Sequence, residues 1–276
     1  MSSLVVAAIQ LTSMADWREN LDKVTSLLLA AVKDGARLIV LPENVFLFNG
    51  KRMREMAASQ EQTLLLEAVA ELAKKHSVYI VIGSHPSLKR PTEELVDMGR
   101  VRQRCWLLGP DGELITSYDK IHLFDVQVDD KAASYRESNF IEPGEIQLQV
   151  VEIDGFKLGL SICYDLRFPE LYRSLAKLGA ELVVVPAAFT YVTGKAHWNT
   201  LLAARAIENQ CYVLGVNQCG WHNALRQTYG HSSLYSPNGE CLAMLEEKPG
   251  YFVYRIERQA LTEVRAKMPC LTHRRM

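Results

Sequence analysis

Apolar and polar residues alternate over residues 156–162, as expected for a β-strand with one buried face. The pair Asp154 and Gly155 just before it is a strong signal for a hairpin turn. The alternation stops at Cys163, and a proline then opens a predicted helix over residues 169–177. This stretch therefore predicts a strand, a sharp turn that carries Cys163, and a helix.

Similar patterns predict further strands and helices along the rest of the chain. Short apolar runs rich in β-branched residues predict buried strands, and apolar residues spaced by three and four predict helices. The predicted strands cover residues 4–11, 37–41, 78–83, 101–109, 113–123, 181–186, 211–216, 232–235 and 251–256. The predicted helices cover residues 20–33, 60–75, 197–210 and 258–267. Residues 86–100 and 124–144 lack periodicity and are predicted to be loops, the second of a length that is uncommon unless a loop is functional or disordered.

This order of elements predicts an α/β protein with mixed pairing, in more than one layered sheet. The chain has 276 residues, of which 48% are hydrophobic, and this is enough for a substantial core. No Gly/Ser-rich or Pro-rich linker and no low-complexity tract interrupts it. Residues 1–276 are therefore predicted to form a single domain.

The net charge and the cysteine content limit which partners, ligands and compartments the sequence predicts. A net charge of −1 gives no general attraction to nucleic acid or to an anionic membrane. The apolar run over residues 4–11 is too short to span a membrane. The six cysteines stand singly, without the close pairs of a zinc site or the density of a disulfide scaffold. We therefore expect a cytosolic protein with no metal and no cofactor.

Three side chains at or near the ends of predicted strands form a candidate site: Glu43, Lys120 and Cys163. Ligands of open α/β sheets bind beyond the carboxyl ends of the strands. A cysteine at a strand-to-helix turn has its sulfur lifted out of the sheet, and the adjacent helix amino end favours the thiolate. A thiolate, a carboxylate and an ammonium together indicate acyl transfer.

The chemistry of each group suggests its role. Cys163 would attack a carbonyl carbon, and Glu43 would accept the thiol proton, deliver a proton to the leaving nitrogen and later activate water. Lys120 and the backbone N–H of Tyr164 would stabilise the oxyanion. Each residue also has an ordinary alternative, as a packed cysteine, a surface carboxylate or a solvated lysine. Only the complete set indicates catalysis.

Three sequence blocks carry a resemblance to a known family: residues 41–43 (LPE), 118–124 (YDKIHLF) and 163–171 (CYDLRFPEL). In order and content they resemble the Glu, Lys and Cys blocks of the carbon–nitrogen hydrolase, or nitrilase, superfamily. The resemblance implies a four-layer α-β-β-α sandwich with two mixed β-sheets, usually dimerised across the helical face. It also implies a second glutamate that orients the lysine and the substrate, which Glu137 matches.

Within the superfamily, the residues after the cysteine favour amides over nitriles. True nitrilases have Cys-Trp-Glu there, whereas this chain has Cys163, Tyr164 and Asp165. The blocks resemble the Nit branch, which contains ω-amidase and deaminated glutathione amidase, and residues 218–220 (QCG) with 229–232 (YGHS) are closer to the latter. The resemblance implies a small-molecule amide substrate, with deaminated glutathione first and α-ketoglutaramate as the alternative.

Candidate substrate-binding residues follow the nucleophile and the strand over 181–186. Arg167 is predicted at the rim of the site, where its guanidinium either holds a substrate carboxylate or pairs with Asp165 or Glu170. Three further residues are predicted to line the pocket: Phe189, Thr190 and Thr193.

Two rival functions are each compatible with part of the sequence. A cysteine protease would pair Cys163 with a histidine, but His122, His197 and His231 stand in no recognisable protease block, and His122 is predicted on the same strand face as Lys120. A nonenzymatic interaction protein is the second rival, and the intact set of Glu43, Lys120 and Cys163 argues against it.

Overall fold

The computed structural model describes residues 3–97 and 99–275, within which the chain forms sixteen β-strands and six α-helices. The strands are β1 (Ser3–Gln10), β2 (Leu38–Val40), β3 (Tyr79–Ser87), β4 (Arg102–Leu108), β5 (Leu114–Asp119), β6 (Asp125–Gln127), β7 (Ser134–Arg136), β8 (Val150–Ile153), β9 (Phe156–Leu160), β10 (Leu182–Ala187), β11 (Tyr212–Asn217), β12 (Cys219–Trp221), β13 (Gln227–Tyr229), β14 (Ser233–Tyr235), β15 (Cys241–Met244) and β16 (Gly250–Glu257). The helices are α1 (Trp17–Lys33), α2 (Met53–Ala58), α3 (Gln60–His76), α4 (Pro169–Lys177), α5 (Tyr191–Asn209) and α6 (Arg258–Lys267).

Most of the strands form two six-stranded sheets with the same plan. The first has the order β16-β1-β2-β3-β4-β5 and the second β15-β14-β11-β10-β9-β8. In each sheet three central strands run parallel, β1 to β3 in the first and β9 to β11 in the second. Antiparallel strands flank them on both sides. The pairs β6–β7 and β12–β13 form two small separate ribbons.

Strand β1 shows how each sheet comes to lie between helices and the other sheet. Successive side chains of a strand point to opposite faces. Val6 and Ala8 belong to a core shared with the second sheet, whereas Ala7 and Ile9 pack with apolar residues of α1, α2 and α3. On the far side of the second sheet, α5 packs against β11 and beside α4. The result is the predicted α-β-β-α sandwich with two mixed sheets.

The strand directions bring the predicted site residues to common edges. Strand β4 is antiparallel to both β3 and β5, so β2, β3 and β5 all run the same way. The segments that follow β2 and β5 therefore leave the first sheet at the same edge, and they carry Glu43 and Lys120. In the second sheet, the parallel strands β9 and β10 carry Cys163 and Phe189 beyond their ends.

Several element boundaries differ from prediction, most of them near the site. Helix α5 begins at Tyr191, not at residue 197, because the Thr190 side chain accepts a hydrogen bond from the N–H of Thr193 and caps the helix. Strand β5 ends at Asp119, so Lys120 and His122 lie beyond it and not on its face.

Both predicted loops contain regular structure. The predicted loop over 86–100 and the predicted domain over 1–276 also include residues outside the described ones. The loop over 124–144 contains β6, β7 and a 3₁₀ helix over Glu137–Asn139. Strand β3 extends through Ser87 into the loop over 86–100, of which Met98 lies outside the described residues. The single domain over residues 1–276 stays a prediction.

Gly83 occupies a position where the neighbouring backbone leaves no room for a side chain. It lies on β3, and a Cβ there would overlap the carbonyl oxygens of Leu41 and Pro42, the two residues before Glu43. Both are backbone atoms and cannot turn aside. The approach of β3 to this segment therefore requires glycine.

We expect Gly83→Ala to lower the free energy of unfolding by about 1–3 kcal/mol, because the overlap forces the backbone apart. Urea denaturation measures the change. Gly250→Ala is the matched control, since a Cβ at that strand residue meets no atom within 4 Å. Equal stability of the two variants would contradict the steric argument.

Candidate active site

A buried ammonium lies between two carboxylates at the centre of the site. Lys120 Nζ is 2.7 Å from Glu43 Oε1 and 2.7 and 2.9 Å from the two carboxylate oxygens of Glu137. The side chain of Lys120 is 1% exposed and that of Glu43 is 3% exposed. The backbone N–H of Phe124 donates to Glu137 Oε2 at 2.6 Å and fixes this carboxylate. The second glutamate thus contacts the lysine, as the family resemblance implied.

The charges of this cluster depend on one another. Burial disfavours the charge of Lys120, but the carboxylates of Glu137 and Glu43 outweigh it and hold the pKa of Lys120 well above its usual value. Burial raises the pKa of Glu137, and the adjacent Lys120 opposes this rise. The two carboxylates therefore favour the charged form of the lysine at neutral pH.

Cys163 occupies a strained turn beside this cluster. Its φ angle is +48°, in the left-handed region that residues other than glycine rarely adopt. Burial, followed by the carboxylate of Glu43, raises the pKa of the Cys163 thiol well above its usual value, and Lys120 opposes the rise only in part. The expected thiolate at a helix amino end is therefore not the resting state. The adjacent helix is a 3₁₀ helix of five residues, Cys163–Arg167, and it does not offset the burial.

Attack by a protonated thiol would require a base, and the backbone that carries the Glu43 carboxylate is held in a fixed position. The Nε2 group of Gln218 donates to the backbone oxygen of Glu43 at 3.0 Å and to Ser13 Oγ at 2.7 Å. The N–H of Asn44, the next residue, donates to Ser84 Oγ at 2.8 Å. A side chain of β3 and one from the residue after β11 therefore fix the backbone that presents the carboxylate.

Asp165 links the turn of Cys163 to the segment that carries Lys120. Its fully buried carboxylate accepts hydrogen bonds from the Tyr118 hydroxyl at 2.7 Å and the Ile162 N–H at 2.9 Å. It also accepts from the N–H of His122 at 3.1 Å and from His122 Nδ1 at 2.7 Å. Tyr118 and His122 lie on either side of Lys120 in the sequence, so one carboxylate sets the position of the nucleophile relative to the lysine. His122 thus supports the site and is no partner of the thiol.

These groups open into a cavity of about 300 Å³. Eight of the nine predicted site residues line it: Glu43, Lys120, Glu137, Cys163, Tyr164, Phe189, Thr190 and Thr193. Among the residues that the structure describes, no three His, Cys, Asp or Glu side chains are grouped so as to hold a metal ion.

Arg167 is the predicted residue that lies outside the cavity lining. Its two terminal nitrogens are each 3.3 Å from Nδ1 of His197, and its guanidinium lies 5.4 Å from the centre of the Phe189 ring. In the described part of the chain it forms no ion pair with Asp165 or Glu170. Its contact with substrate stays a prediction.

Sequence reasoning missed several other residues that line the cavity. These residues come from segments without periodicity, namely Phe48, Asn49, Gly50, Met53, Tyr135 and Arg226. Of these, Arg226 lies in the hairpin between β12 and β13 and has no neighbouring motif. The only available signal was the unusual length of the loop over 124–144, which supplies Tyr135.

Comparison with known proteins identifies the family to which this site belongs. Residues 5–266 match the carbon–nitrogen hydrolase family. The chain belongs to that family. This carbon–nitrogen hydrolase is 39% identical over 276 residues to the deaminated glutathione amidase of Yersinia enterocolitica, covering 100% of this chain and 94% of the relative. It is 41% identical to the enzyme of the same name from Synechocystis sp., with 99% of each chain covered.

A solved structure agrees with this assignment. The crystal structure of the C. elegans NitFhit protein superimposes with a TM-score of 0.89 at 34% sequence identity, over 100% of this chain and 66% of that longer chain. The predicted nitrilase superfamily and Nit branch are therefore confirmed. The protein is a hydrolase of carbon–nitrogen bonds other than peptide bonds.

In this carbon–nitrogen hydrolase, Glu43→Gln should lower the pKa of Cys163, because it removes a carboxylate that raises this pKa while Lys120 remains. The pH dependence of Cys163 alkylation by iodoacetamide, followed by mass spectrometry, measures the shift. The exposed Cys241 serves as internal control and should alkylate alike in both proteins. A midpoint for Cys163 that is unchanged or raised would contradict the electrostatic argument.

Asp165→Asn should lower the free energy of unfolding by about 1.5–3 kcal/mol, because an amide cannot accept from all the donors that face the carboxylate. It should also lower kcat/KM, since the turn of Cys163 loses its fixed position. Tyr118→Phe, which removes one of the donors, should cost only about 0.5–1.5 kcal/mol. Chemical denaturation and steady-state kinetics test both variants, and an Asp165→Asn protein as stable and active as wild type would refute the positioning role.

Proposed function

We propose that the protein is an amidase that hydrolyses deaminated glutathione to α-ketoglutarate and cysteinylglycine. The observation that carries the amidase chemistry is the contact of Lys120 with Glu43 and Glu137 in the same cavity as Cys163. The choice of substrate rests on full-length similarity to relatives that bear that name.

In the proposed acylation step, the sulfur of Cys163 attacks the amide carbonyl carbon as Glu43 takes the thiol proton. The negative charge moves to the carbonyl oxygen, where Lys120 and the backbone N–H of Tyr164 stabilise it. Glu43 then gives the proton to the leaving nitrogen, the carbon–nitrogen bond breaks and a thioester remains. Because the resting thiol is protonated, attack depends on Glu43.

Deacylation uses the same groups with water in place of the thiol. Glu43 takes a proton from water, the resulting hydroxide attacks the thioester carbon, and Lys120 again stabilises the oxyanion. The carbon–sulfur bond then breaks, and the sulfur recovers the proton from Glu43. Glu137 holds Lys120 in position throughout and does not exchange a proton.

The second candidate is an ω-amidase acting on α-ketoglutaramate or α-ketosuccinamate. One observation favours it: a cavity of about 300 Å³ lies at the small end of ligand sites, and ammonia is a much smaller leaving group than cysteinylglycine. The acyl groups and the proposed catalytic residues would be of the same kind. Only the leaving group separates the two functions.

Turnover of both substrates by purified protein tests the proposal, with kcat/KM measured from the released α-ketoglutarate and amine. We expect the larger value for deaminated glutathione, with cysteinylglycine released. A larger value for α-ketoglutaramate would assign the protein to ω-amidase. Hydrolysis of neither substrate would overturn the proposed substrate class.

Cys163→Ala should lower kcat by at least about 10⁴-fold on either substrate, since the acyl group would have no nucleophile. Cys241→Ala is the matched control, because Cys241 is exposed and does not line the cavity. Residual turnover by Cys163→Ala close to that of wild type would exclude the thioester route.

We also propose an assembly and a cellular location for the protein. Ile207 on α5 and Leu178 after α4 expose more than half of their side chains on the helical layer, at 53% and 52%. These apolar residues support a homodimer across that face. Among the described residues, no helix has both the length and the apolar character needed to cross a membrane. The cytosolic location stays a prediction.

A further inference from the structure

Arg226 is a cavity residue that the proposed mechanism does not use. It lies at the end of the hairpin loop between β12 and β13, and this loop is held in one shape. The N–H of His222 donates to the backbone oxygen of Arg226 at 3.0 Å, and Asn223 Oδ1 accepts from the N–H groups of Leu225 and Arg226, each at 2.9 Å. The start of the Arg226 side chain is therefore fixed.

The guanidinium of Arg226 has only part of its hydrogen bonding satisfied. Nη2 donates to the backbone oxygen of Ala188 at 2.6 Å, whereas Nη1 is buried and has no hydrogen-bond partner. Its central carbon lies 4.6 Å from the ring centre of Tyr135 and 6.0 Å from that of Phe48. In the described part of the chain, no Asp or Glu forms an ion pair with it.

Aromatic rings can stabilise a cation, but they do not replace a hydrogen-bond acceptor. A ring face offers the guanidinium its negative quadrupole, while a buried N–H without an acceptor still costs free energy. A carboxylate would supply both the missing acceptor and the missing counter-charge, and guanidinium groups bind carboxylates with two parallel hydrogen bonds. The unsatisfied nitrogen therefore indicates an anionic ligand.

The rest of the cavity does not offer a second suitable cation. Lys120 already lies between two carboxylates, so an anion near it would meet their negative charge. Arg136 also lines the cavity but is exposed, and water can hydrate its charge. Within the described ranges 3–97 and 99–275, Arg226 is the half-buried cavity-lining cation without a carboxylate partner, and its contact with Ala188 places it next to another cavity-lining residue.

We propose that Arg226 binds a carboxylate on the acyl chain of the substrate and makes the site select monoamides of dicarboxylic acids over neutral amides. The proposal rests on the proposed amidase function for the chemistry at Cys163. The acyl chain is the part that stays bound through both acylation and deacylation, so a fixed anion site serves both steps. The leaving amine departs after the first.

The test compares glutaramate with its methyl ester, two amides that differ in the negative charge at the far end of the acyl chain. Ammonia release gives kcat/KM for each. We expect Arg226→Gln to lower kcat/KM by about 100-fold or more for glutaramate, mainly through KM, and by less than about 3-fold for the ester. Arg226→Lys should restore part of the loss, because it keeps the charge but not the paired hydrogen bonds.

Arg255→Gln is the control, since Arg255 lies on β16, is exposed to solvent and does not line the cavity. We expect this control variant to change kcat/KM by less than about 3-fold for both amides. A carboxylate-selective loss in Arg167→Gln and not in Arg226→Gln would overturn the proposal, as would equal losses on both amides. A loss confined to deaminated glutathione would also overturn it, because that result places the bound carboxylate on the leaving group.

A binding measurement tests the role of Arg226 without depending on the proposed function. Calorimetry should show that Cys163→Ala binds glutarate. The double variant, which also carries Arg226→Gln, should not bind it. This result does not depend on which amide the active enzyme prefers. Failure to hydrolyse deaminated glutathione would refute the proposed function and leave this prediction standing. Absence of glutarate binding to Cys163→Ala would refute the role of Arg226. Thermal denaturation of each variant confirms that it is folded.

Discussion

The site depends on the burial of a single ammonium. Lys120 is almost fully enclosed, and an isolated cation there would be too costly to keep charged. Two carboxylates make its charge stable, and they come from different parts of the chain: Glu43 follows β2, and Glu137 follows the β6–β7 ribbon. The ion cluster therefore joins the segment after β2 to the segment after β5 and to the 3₁₀ helix that follows the β6–β7 ribbon. All three of its residues line the cavity, so the ion cluster also contributes to the shape of the cavity.

A second buried carboxylate extends this arrangement from the first sheet to the second. Asp165 accepts hydrogen bonds from residues on both sides of Lys120 and from the strand end before Cys163. The nucleophile and the lysine belong to different sheets, and side-chain packing alone would leave their distance adjustable. Directional hydrogen bonds to one acceptor remove that freedom. Tyr118 and His122 thus have a mechanical role in a site whose reacting groups are other residues.

The sequence predicted the sheets well because their signal is local. Alternation and apolar runs locate β1, β2, β9, β10 and β11 to within a few residues, and residues that follow β9 and β2 are the candidate nucleophile and base. The errors occur where a boundary is set by one contact. Thr190, for example, starts α5 through a side-chain cap. Arg226 could not be predicted, because its importance comes from partners it lacks, and only the folded structure shows them.

The raised pKa of Cys163 has a consequence outside the reaction itself. Peroxide and related oxidants attack a thiolate much faster than a thiol. An enzyme whose nucleophile stays protonated until a base removes the proton presents little reactive sulfur to them between turnovers. We therefore expect Cys163, buried beside Glu43, to be oxidised more slowly than an accessible thiolate, so the environment that makes the thiol dependent on a base also limits its reaction with oxidants.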